Sequence, residues 1–216
     1  VFKIYKKFKM KNNLFIGKNS FICKSIFPSV RGKYISHKEI KDVNFEKYKN
    51  IFLLSSPQNY RKEKIKNFMF EKRILNKIKN QRLIFFSTSK IYPNKLNCTE
   101  DIRSNPQSFY AENKLKVEKL FNKEKDKILI LRLSNIFGIK NRNKDTFLGM
   151  MHNNFFKRNK IEFDISINSV RDLFSVKSLI TLISKIERNE ILGTYNVGSE
   201  KGYEIKDIIK FYFGEK

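Results

Sequence analysis

The fold can be read most directly from residues 14–23, LFIGKNSFIC, where a short apolar run meets a glycine and then a second apolar segment. Leu14–Ile16 predicts a buried strand, and Gly17 predicts a turn. The segment from Phe21 to Phe27 predicts a helix that Pro28 would stop. A strand that passes through a tight turn into a helix is a typical opening unit of a sheet with helices on its faces.

The same alternation of strand and helix continues along the chain. Further strands are predicted at residues 33–36, 50–54, 82–86, 128–133 and 194–197, and further helices at 61–79, 110–121, 176–186 and 205–213. The strands are continuous apolar runs, which is typical of a parallel sheet covered on both faces. The predicted fold class is therefore α/β, a doubly wound parallel sheet with a small additional part.

The composition is strongly basic, with 46 Lys and Arg against 21 Asp and Glu and a net charge of +25 over 216 residues. Such a charge favours nucleic acid or an anionic membrane surface. An AT-rich coding sequence would also produce it, because the lysines are spread along the chain, glycine is scarce (8) and tryptophan is absent. The charge favours anionic ligands without naming their class, and nucleic acid is not the expected partner.

Cysteine and histidine usage excludes two kinds of small scaffold. Cys23 and Cys98 are too few for a disulfide framework, so a reducing cytoplasmic location is predicted. With only His37 and His152 and no Cys/His cluster, no structural metal site is predicted. The apolar runs are also far shorter than a membrane span.

The amino terminus has two interpretations. The run MKNNLFIG from Met10 resembles a natural start leading into the first strand, so residues 1–9 would be an upstream basic extension. The alternative is a short basic arm that belongs to the protein.

The turn after the first strand is a candidate anion site. A glycine-rich turn at this point lets backbone N–H groups and a helix N-terminus meet the pyrophosphate of a dinucleotide. The candidate contacts are Gly17, Asn19, Ser20, Phe21 and Ile22.

The residues after the second strand select between dinucleotides. An acidic residue there would hold the ribose hydroxyl of NAD, and basic residues would suit the phosphate of NADP. His37 and Lys38 stand at this position, which favours NADP, although a chain this rich in lysine makes the signal weak.

A Tyr-x-x-x-Lys pair places both side chains on one helix face, where the ammonium would lower the pKa of the phenol. The chain holds five such pairs: Tyr5/Lys9, Tyr34/Lys38, Tyr60/Lys64, Tyr110/Lys114 and Tyr212/Lys216. Only Tyr110 is preceded by Pro-x-Ser-x, in PQSFYAENK (106–114), and by a strand that ends at Thr88. This pair is therefore the candidate for acid–base chemistry, and the others fit chance in a lysine-rich chain.

Four further segments lie along the chain, one before the Tyr110 segment and three after it: FFSTSKIYP (85–93), LRLSNIFG (131–138), VRDLFSV (170–176) and GTYNVGS (193–199). Together with the first turn and the Tyr110 segment, this ordered set resembles the extended short-chain dehydrogenases, the NAD-dependent epimerase/dehydratase family that acts on nucleotide sugars. The resemblance covers nearly the whole chain and implies a Rossmann-like fold and NAD or NADP as cofactor.

The resemblance implies a catalytic role for Thr88, Tyr110 and Lys114. Thr88 would hydrogen-bond the sugar oxygen, Tyr110 would act as acid or base, and Lys114 would also touch the nicotinamide ribose. The alternatives are a strand-end Thr88 that caps its turn and a Tyr110–Lys114 pair that lies on the surface.

The resemblance also implies binding roles for three residues. Asp42 would meet the adenine, and its alternative is a solvent-facing turn residue. Asn135 would contact the substrate diphosphate, or serve only as a turn residue. Arg171 would meet a phosphate, or form a surface ion pair with Asp172.

Two departures from the family pattern shape the expectation. Ser20 and Cys23 replace two glycines of the phosphate loop, and Ser89-Lys90 replaces the Asp-Glu of the glucose dehydratases. The second departure favours an epimerase or a keto-sugar reductase. The competing hypotheses are a non-catalytic nucleotide-binding member and an atypical member that binds RNA.

The family pattern divides the chain into parts. Residues 10–139 would form the dinucleotide-binding domain, with its last strand returned at 193–198. Residues 140–192 and 199–216 would form the substrate-binding part. Family members often pair through the helix that bears the tyrosine, which implies a possible homodimer.

Overall fold

A computed structural model describes residues 13–138, 146–158 and 166–214 of the chain. The extension 1–9, the start at Met10 and the boundary between 139 and 140 lie outside these ranges.

Six strands form one parallel sheet in the order β2-β1-β3-β4-β5-β8, and every neighbouring pair is parallel. The strands are β1 (Asn13–Ile16), β2 (Lys33–Ile35), β3 (Asn50–Leu53), β4 (Arg82–Thr88), β5 (Ile128–Leu133) and β8 (Gly193–Val197). The strand order reverses at β1, which lies between β2 and β3. The predicted doubly wound, Rossmann-like fold is therefore confirmed.

Helices cover both faces of this sheet. On one face lie α1 (Phe21–Ile26) and α5 (Val176–Arg188), and on the other lie α2 (Met69–Lys77) and α3 (Phe109–Phe121). Two further helices, α4 (Phe147–Arg158) and α6 (Ile205–Phe213), contact each other through the rings of Phe155 and Phe213. Successive strand residues point to opposite faces. Phe15 therefore packs in the core beneath α1 and α5, and Leu14 and Ile16 pack beneath α2 and α3. Among the helices of the described ranges, none combines the length and apolar character that a membrane crossing requires.

A second, three-stranded sheet was not predicted. It contains β6 (Asn135–Phe137), β7 (Val170–Ser175) and β9 (Gly202–Glu204), with β6 parallel and β9 antiparallel to β7. The sequence patterns at β6 and β7 were interpreted only as motifs. Because β6 starts two residues after β5, the second sheet lies at the carboxyl end of the first.

The helix predicted over residues 61–79 is wrong in its first half. A short 3₁₀ helix spans Gln58–Arg61, and α2 begins only at Met69. The Asn113 side chain holds the intervening backbone, because its amide donates to the carbonyls of Tyr60 (3.1 Å) and Glu63 (2.8 Å). Its oxygen accepts from the Ile65 N–H at 2.9 Å. These tertiary hydrogen bonds override the helical periodicity of the segment.

Candidate functional site

A cleft with a volume of about 2260 Å³ opens where the strands end. Residues directly after β1, β2 and β3, at the end of β4 and after β5 line its wall. The cleft therefore lies at the carboxyl edge of the sheet and includes the switch point beside β1, where doubly wound folds bind ligands.

The loop after β1 forms one wall of the cleft and permits only glycine at its first position. Gly17 has φ +112°, and a Cβ there would lie 2.2 Å from the Ser55 Oγ. Its N–H donates to the Ile35 carbonyl at 2.8 Å, which ties the loop to β2. The N–H groups of Phe21 and Ile22, in the first turn of α1, have no intrahelical acceptor and belong to residues that line the cleft. This arrangement can accept an anion.

The two residues that replace family glycines differ in their surroundings. Ser20 caps α1 by accepting the Cys23 N–H at 3.2 Å, and it lines the cleft. Cys23 is fully buried in the core with Phe15 and Ile26. Burial raises the pKa of the thiol to about 12, so the thiol stays neutral. Only Ser20 therefore bears directly on a ligand in the cleft.

In the segment directly after β2, basic side chains line the cleft and no acidic side chain does. His37 Nε2 lies 2.5 Å from the Ser55 Oγ, and burial lowers the pKa of the imidazole. Lys38 lines the cleft beside it. Glu39 is engaged elsewhere, because its carboxylate accepts from the Ser36 N–H (2.8 Å) and pairs with Lys18 at 2.8 Å.

The structure brings the three catalytic candidates to one cleft. Thr88 ends β4, Tyr110 and Lys114 lie on α3, and all three line the wall. Thr88 Oγ1 accepts the Lys90 N–H at 3.3 Å, so it also caps its own turn.

Lys114 is 2% exposed, and its ammonium donates to the Phe86 carbonyl at 2.6 Å. Burial lowers its pKa to about 7, against the opposing effect of the carboxylates of Glu71 and Glu118. The folded structure therefore disfavours the protonated, charged form of Lys114.

The environment of Tyr110 differs from the expectation. Burial raises the pKa of its phenol, and the cation that opposes this effect is Arg61, whose Cζ lies 5.4 Å from the ring centre. Lys114 Nζ lies 5.9 Å from the same ring centre and is directed to a carbonyl. In this state the phenol keeps its proton at neutral pH.

The other Tyr-x-x-x-Lys pairs of the described chain do not share this geometry. Tyr34 lies on β2, and Tyr60 lies in a 3₁₀ helix with its hydroxyl on buried Glu71 at 2.5 Å. The partners of Tyr5 and Tyr212 lie outside the described residues, as does Tyr5 itself.

Of the three binding residues predicted from the family resemblance, one lines the cleft and two lie outside it. Asn135 lines the cleft, and its amide donates to the Asp172 carbonyl at 3.1 Å. Asp42 is exposed, ends the 3₁₀ helix His37–Asp42 and does not line the cleft, so the structure does not support its predicted contact with the adenine. Arg171 also lies outside the lining and donates to the Val170 carbonyl at 2.8 Å.

Asp172, the alternative ion-pair partner of Arg171, has other partners. Its carboxylate accepts from the Ser199 N–H at 2.9 Å and from the Ser134 hydroxyl at 3.2 Å. No ion pair between Asp172 and Arg171 occurs in the part of the chain that the structure describes. A Cβ on Gly198 would lie 2.1 Å from the same carboxylate, so this turn requires a glycine.

One buried network joins motif residues that the sequence analysis treated separately. Arg132 donates to Glu118 at 2.9 Å and to the Tyr92 hydroxyl at 2.7 Å. Tyr92 donates to Asn196 at 2.7 Å. The network links α3, β5, β8 and the turn after β4, and so fixes the positions of Thr88 and Tyr110. Three of its members, Tyr92, Arg132 and Asn196, stand inside the quoted motifs, which was the signal that could have revealed it.

Residues 55–198 match the family described as the NAD dependent epimerase/dehydratase family. The chain belongs to this family. The matched range contains Thr88, Tyr110, Lys114, Asn135 and Arg171, and it begins after the Gly17 loop. No curated protein sequence shows significant similarity to the chain.

Solved structures of this fold include a UDP-N-acetylglucosamine 4-epimerase from Methanobrevibacter ruminantium, with 17% identity and a TM-score of 0.75 over 93% of this chain and 80% of that chain. A dTDP-glucose 4,6-dehydratase from Bacillus anthracis, in complex with NAD, has 16% identity and a TM-score of 0.74 over 95% and 82%. A dTDP-4-dehydrorhamnose reductase from Clostridium acetobutylicum has 18% identity and a TM-score of 0.72 over 91% and 77%. At these identities the likeness shows the fold.

Proposed function

We propose that this family member is an NAD(P)-dependent enzyme that epimerises or reduces the sugar of a nucleotide sugar. The observation that carries the proposal is that Thr88, Tyr110 and Lys114 line the same cleft as the Gly17 loop. An epimerase and a reductase of nucleotide sugars have the same fold.

The residues of the cleft fit a dinucleotide. Gly17 and the N–H groups of Phe21 and Ile22 would hold the pyrophosphate, because no Cβ or carboxylate obstructs them. Lys38 would face the ribose, which supports NADP over NAD. When bound, the nicotinamide supplies or accepts the hydride at the sugar carbon.

The protonation states of the side chains define their proposed roles. Tyr110, whose raised pKa keeps the phenol protonated, donates its proton to the sugar oxygen as a carbonyl is reduced. The Thr88 oxygen already accepts the Lys90 N–H, and its hydrogen would be donated to the same substrate oxygen. Lys114 supports α3 against β4 and offers a charge that can be gained or lost near neutral pH.

The residues after Thr88 support an epimerase or reductase over a dehydratase. Elimination of water from a sugar requires an acid and a base beside the reacting carbon. Ser89 and Lys90 occupy the corresponding turn, and Lys90 presents an ammonium to the cleft. Neither residue carries a carboxyl group, so this turn lacks the Asp-Glu pair of the glucose dehydratases.

A non-catalytic nucleotide-binding member is the second candidate. Ser20 supports it, because a side chain stands in the cleft where the family pattern has a glycine. This alternative predicts dinucleotide binding without turnover.

Pairing of two copies through α3 and a cytoplasmic location stay predictions.

The test is turnover of nucleotide sugars with added dinucleotide by the wild type and by Tyr110→Phe. We expect the variant to lose turnover by about 100-fold or more, because general acid–base catalysis contributes that much, while dinucleotide affinity stays unchanged. Tyr203→Phe, whose ring is outside the cleft, is the matched control and should keep full activity. Equal turnover by wild type and Tyr110→Phe would contradict the proposal, and binding without wild-type turnover would favour the second candidate.

A further inference from the structure

The core beneath α2 and α3 contains a carboxylate to which the proposed function gives no role. Glu71, in the first turn of α2, is 2% exposed. One of its oxygens accepts from the Tyr60 hydroxyl at 2.5 Å, and the other is buried without a hydrogen-bond partner. Burying a carboxylate is costly unless hydrogen bonds or an opposite charge compensate for it. Glu71 therefore needs a further source of stabilisation inside the fold.

Glu71 and Lys114 occupy equivalent positions on the two helices that cover this face of the sheet. Glu71 lies one turn before Ile74 on α2, and Lys114 lies one turn before Val117 on α3. All four residues are buried, and Ile74 and Val117 belong to the same core cluster. Residues three apart share a helix face, so both ionisable groups are directed into this core. Both helices lead into parallel strands, β4 and β5, and therefore begin at the carboxyl edge where the cleft lies.

The residue before Lys114 fixes the position of Tyr60. Asn113 is fully buried, and its amide donates to the carbonyls of Tyr60 (3.1 Å) and Glu63 (2.8 Å). These bonds hold the 3₁₀ helix Gln58–Arg61 against α3, and the Tyr60 hydroxyl then reaches Glu71 on α2. The helix that carries Lys114 therefore also fixes the donor that holds the Glu71 carboxylate.

Two carboxylates act on the Lys114 ammonium, and they differ in their other partners. Burial lowers the pKa of Lys114, and the charges of Glu71 and Glu118 oppose this effect. Glu118 already pairs with Arg132 at 2.9 Å. Burial raises the pKa of the Glu71 carboxyl, and the Tyr60 hydroxyl and the Lys114 charge oppose it. In the described structure no direct ion pair joins Glu71 and Lys114, so the two groups act on each other as charges across a core of low dielectric constant.

The other titratable and charged groups near Lys114 supply no negative charge at neutral pH. Burial raises the pKa of the phenols of Tyr110 and Tyr60, so both stay protonated. Arg61, whose Cζ lies 5.4 Å from the centre of the Tyr110 ring, is a cation. From β4, Lys114 meets the uncharged Phe85 ring at 4.5 Å. The unpaired counter-charge therefore comes from α2.

Lys114 lines the cleft, where its ammonium donates one of its three N–H groups to the Phe86 carbonyl. A ligand in the cleft can accept from the same ammonium. We propose that the buried Glu71 carboxylate keeps Lys114 in its ammonium form for the dinucleotide, which makes Glu71 a positioning residue of the site. The inference rests on the function proposed above, which places a dinucleotide in this cleft.

Nitrogen-15 NMR of the lysine side chains measures the ionisation of Lys114 without any substrate, and Lys114→Met assigns its signal. We expect a midpoint of about 7 in the wild type. Glu71→Gln keeps an oxygen for the Tyr60 hydroxyl but removes the charge, so the midpoint should fall by about one pH unit or more. Glu63→Gln is the matched control. Its exposed side chain accepts from Asn59 at 3.1 Å, and its loss of charge should leave the midpoint unchanged.

Calorimetric titration with NADP and NADPH across pH connects this ionisation to the cleft. A fall of the midpoint from about 7 to about 6 reduces the protonated fraction of Lys114 about tenfold at pH 8 and changes it little at pH 5. We therefore expect Glu71→Gln to bind the dinucleotide up to about tenfold more weakly than the wild type at pH 8, and nearly equally at pH 5. Turnover of nucleotide sugars should follow the same profile.

Tyr60→Phe is a second variant that leaves the Glu71 side chain in place. It removes the hydroxyl that favours the ionised carboxylate, so the Lys114 midpoint and the dinucleotide affinity at pH 8 should fall in the same direction. This variant decides the question if Glu71→Gln does not fold.

Two results would overturn the inference. One is a Lys114 midpoint that neither Glu71→Gln nor Tyr60→Phe moves. The other is a loss of dinucleotide affinity in Glu71→Gln that is equal at every pH, because a role in packing alone gives that result. A shifted midpoint with pH-dependent dinucleotide binding, but no turnover by the wild type, would support the inference and reject the proposed enzyme.

Discussion

The sequence identified the position of Lys114, but it could not show that the fold lowers the pKa of its ammonium. The ammonium is buried on the Phe86 carbonyl, and its pKa falls to about 7 because burial disfavours the charged form. An unfolded lysine keeps its proton up to about pH 10.5. The unfolded state therefore binds a proton that the folded state lacks between these two values, and stability rises with pH across this window.

This difference predicts the pH dependence of stability for Lys114→Met. Between about pH 7.5 and 9.5, the free energy of unfolding of the wild type should rise more steeply than that of the variant, by up to about 1.4 kcal/mol per pH unit. Urea unfolding at several pH values measures both slopes. Lys119→Met removes an exposed lysine of the same helix and should keep the wild-type slope. Parallel slopes for wild type and Lys114→Met would contradict the buried, shifted ammonium.

The sequence could place Tyr110 and Lys114 on one helix face because that follows from helical spacing alone. It could not show that Lys114 is directed to a carbonyl of β4 or that Arg61 lies over the phenol. Both contacts join residues about 30 to 50 positions apart. No local pattern reports such contacts, so the expected lowering of the Tyr110 pKa by Lys114 was wrong.

At the scale of single elements, the two residues that replace family glycines have different surroundings around α1. Ser20 faces the cleft and caps the helix, and Cys23 fills the core between helix and sheet. The family glycine at the position of Ser20 lets the backbone approach a pyrophosphate, and the one at the position of Cys23 permits close packing of helix on strand. The two replacements should therefore have separable effects on affinity and stability.

Ser20→Gly should raise dinucleotide affinity severalfold and cost only a few tenths of a kcal/mol in stability, because glycine is itself tolerated as an N-cap. Cys23→Gly should not raise dinucleotide affinity. It should lower the free energy of unfolding by about 2 kcal/mol or more, because it leaves a buried cavity and adds a glycine to a helix. Calorimetric titration and urea unfolding of the two variants measure both quantities. A gain in affinity from Cys23→Gly and none from Ser20→Gly would reverse the assignment.

The elements that the sequence revealed are those with a continuous apolar run or a clear helical period. The central strands β1, β3, β4 and β5 qualify because every residue in them is buried. The strands β6 and β9 have three residues each and only partly buried or exposed side chains, so no apolar run marks them. The false helix over 61–68 had the right period, but tertiary hydrogen bonds from Asn113 determine its backbone.

At the scale of the whole molecule, the order of the motifs carried the family prediction, and the structure supplies its physical meaning. Tyr92, Arg132 and Asn196 stand in three separate motifs and meet in one buried chain of hydrogen bonds. A set of motifs in fixed order is therefore informative even where each one is weak. The net charge was ambiguous in the sequence, because only the fold shows that, among the described residues, nine Lys and Arg and no Asp or Glu line the cleft.

The most direct test of the account is titration of the protein with NAD, NADH, NADP and NADPH, followed by calorimetry. We predict micromolar binding that favours the NADP forms, survives in Tyr110→Phe and loses its preference in Lys38→Gln. Lys38 lines the cleft after β2, where no carboxylate competes for the ribose. Failure of all four dinucleotides to bind at millimolar concentration would contradict the claim that this cleft is a dinucleotide site.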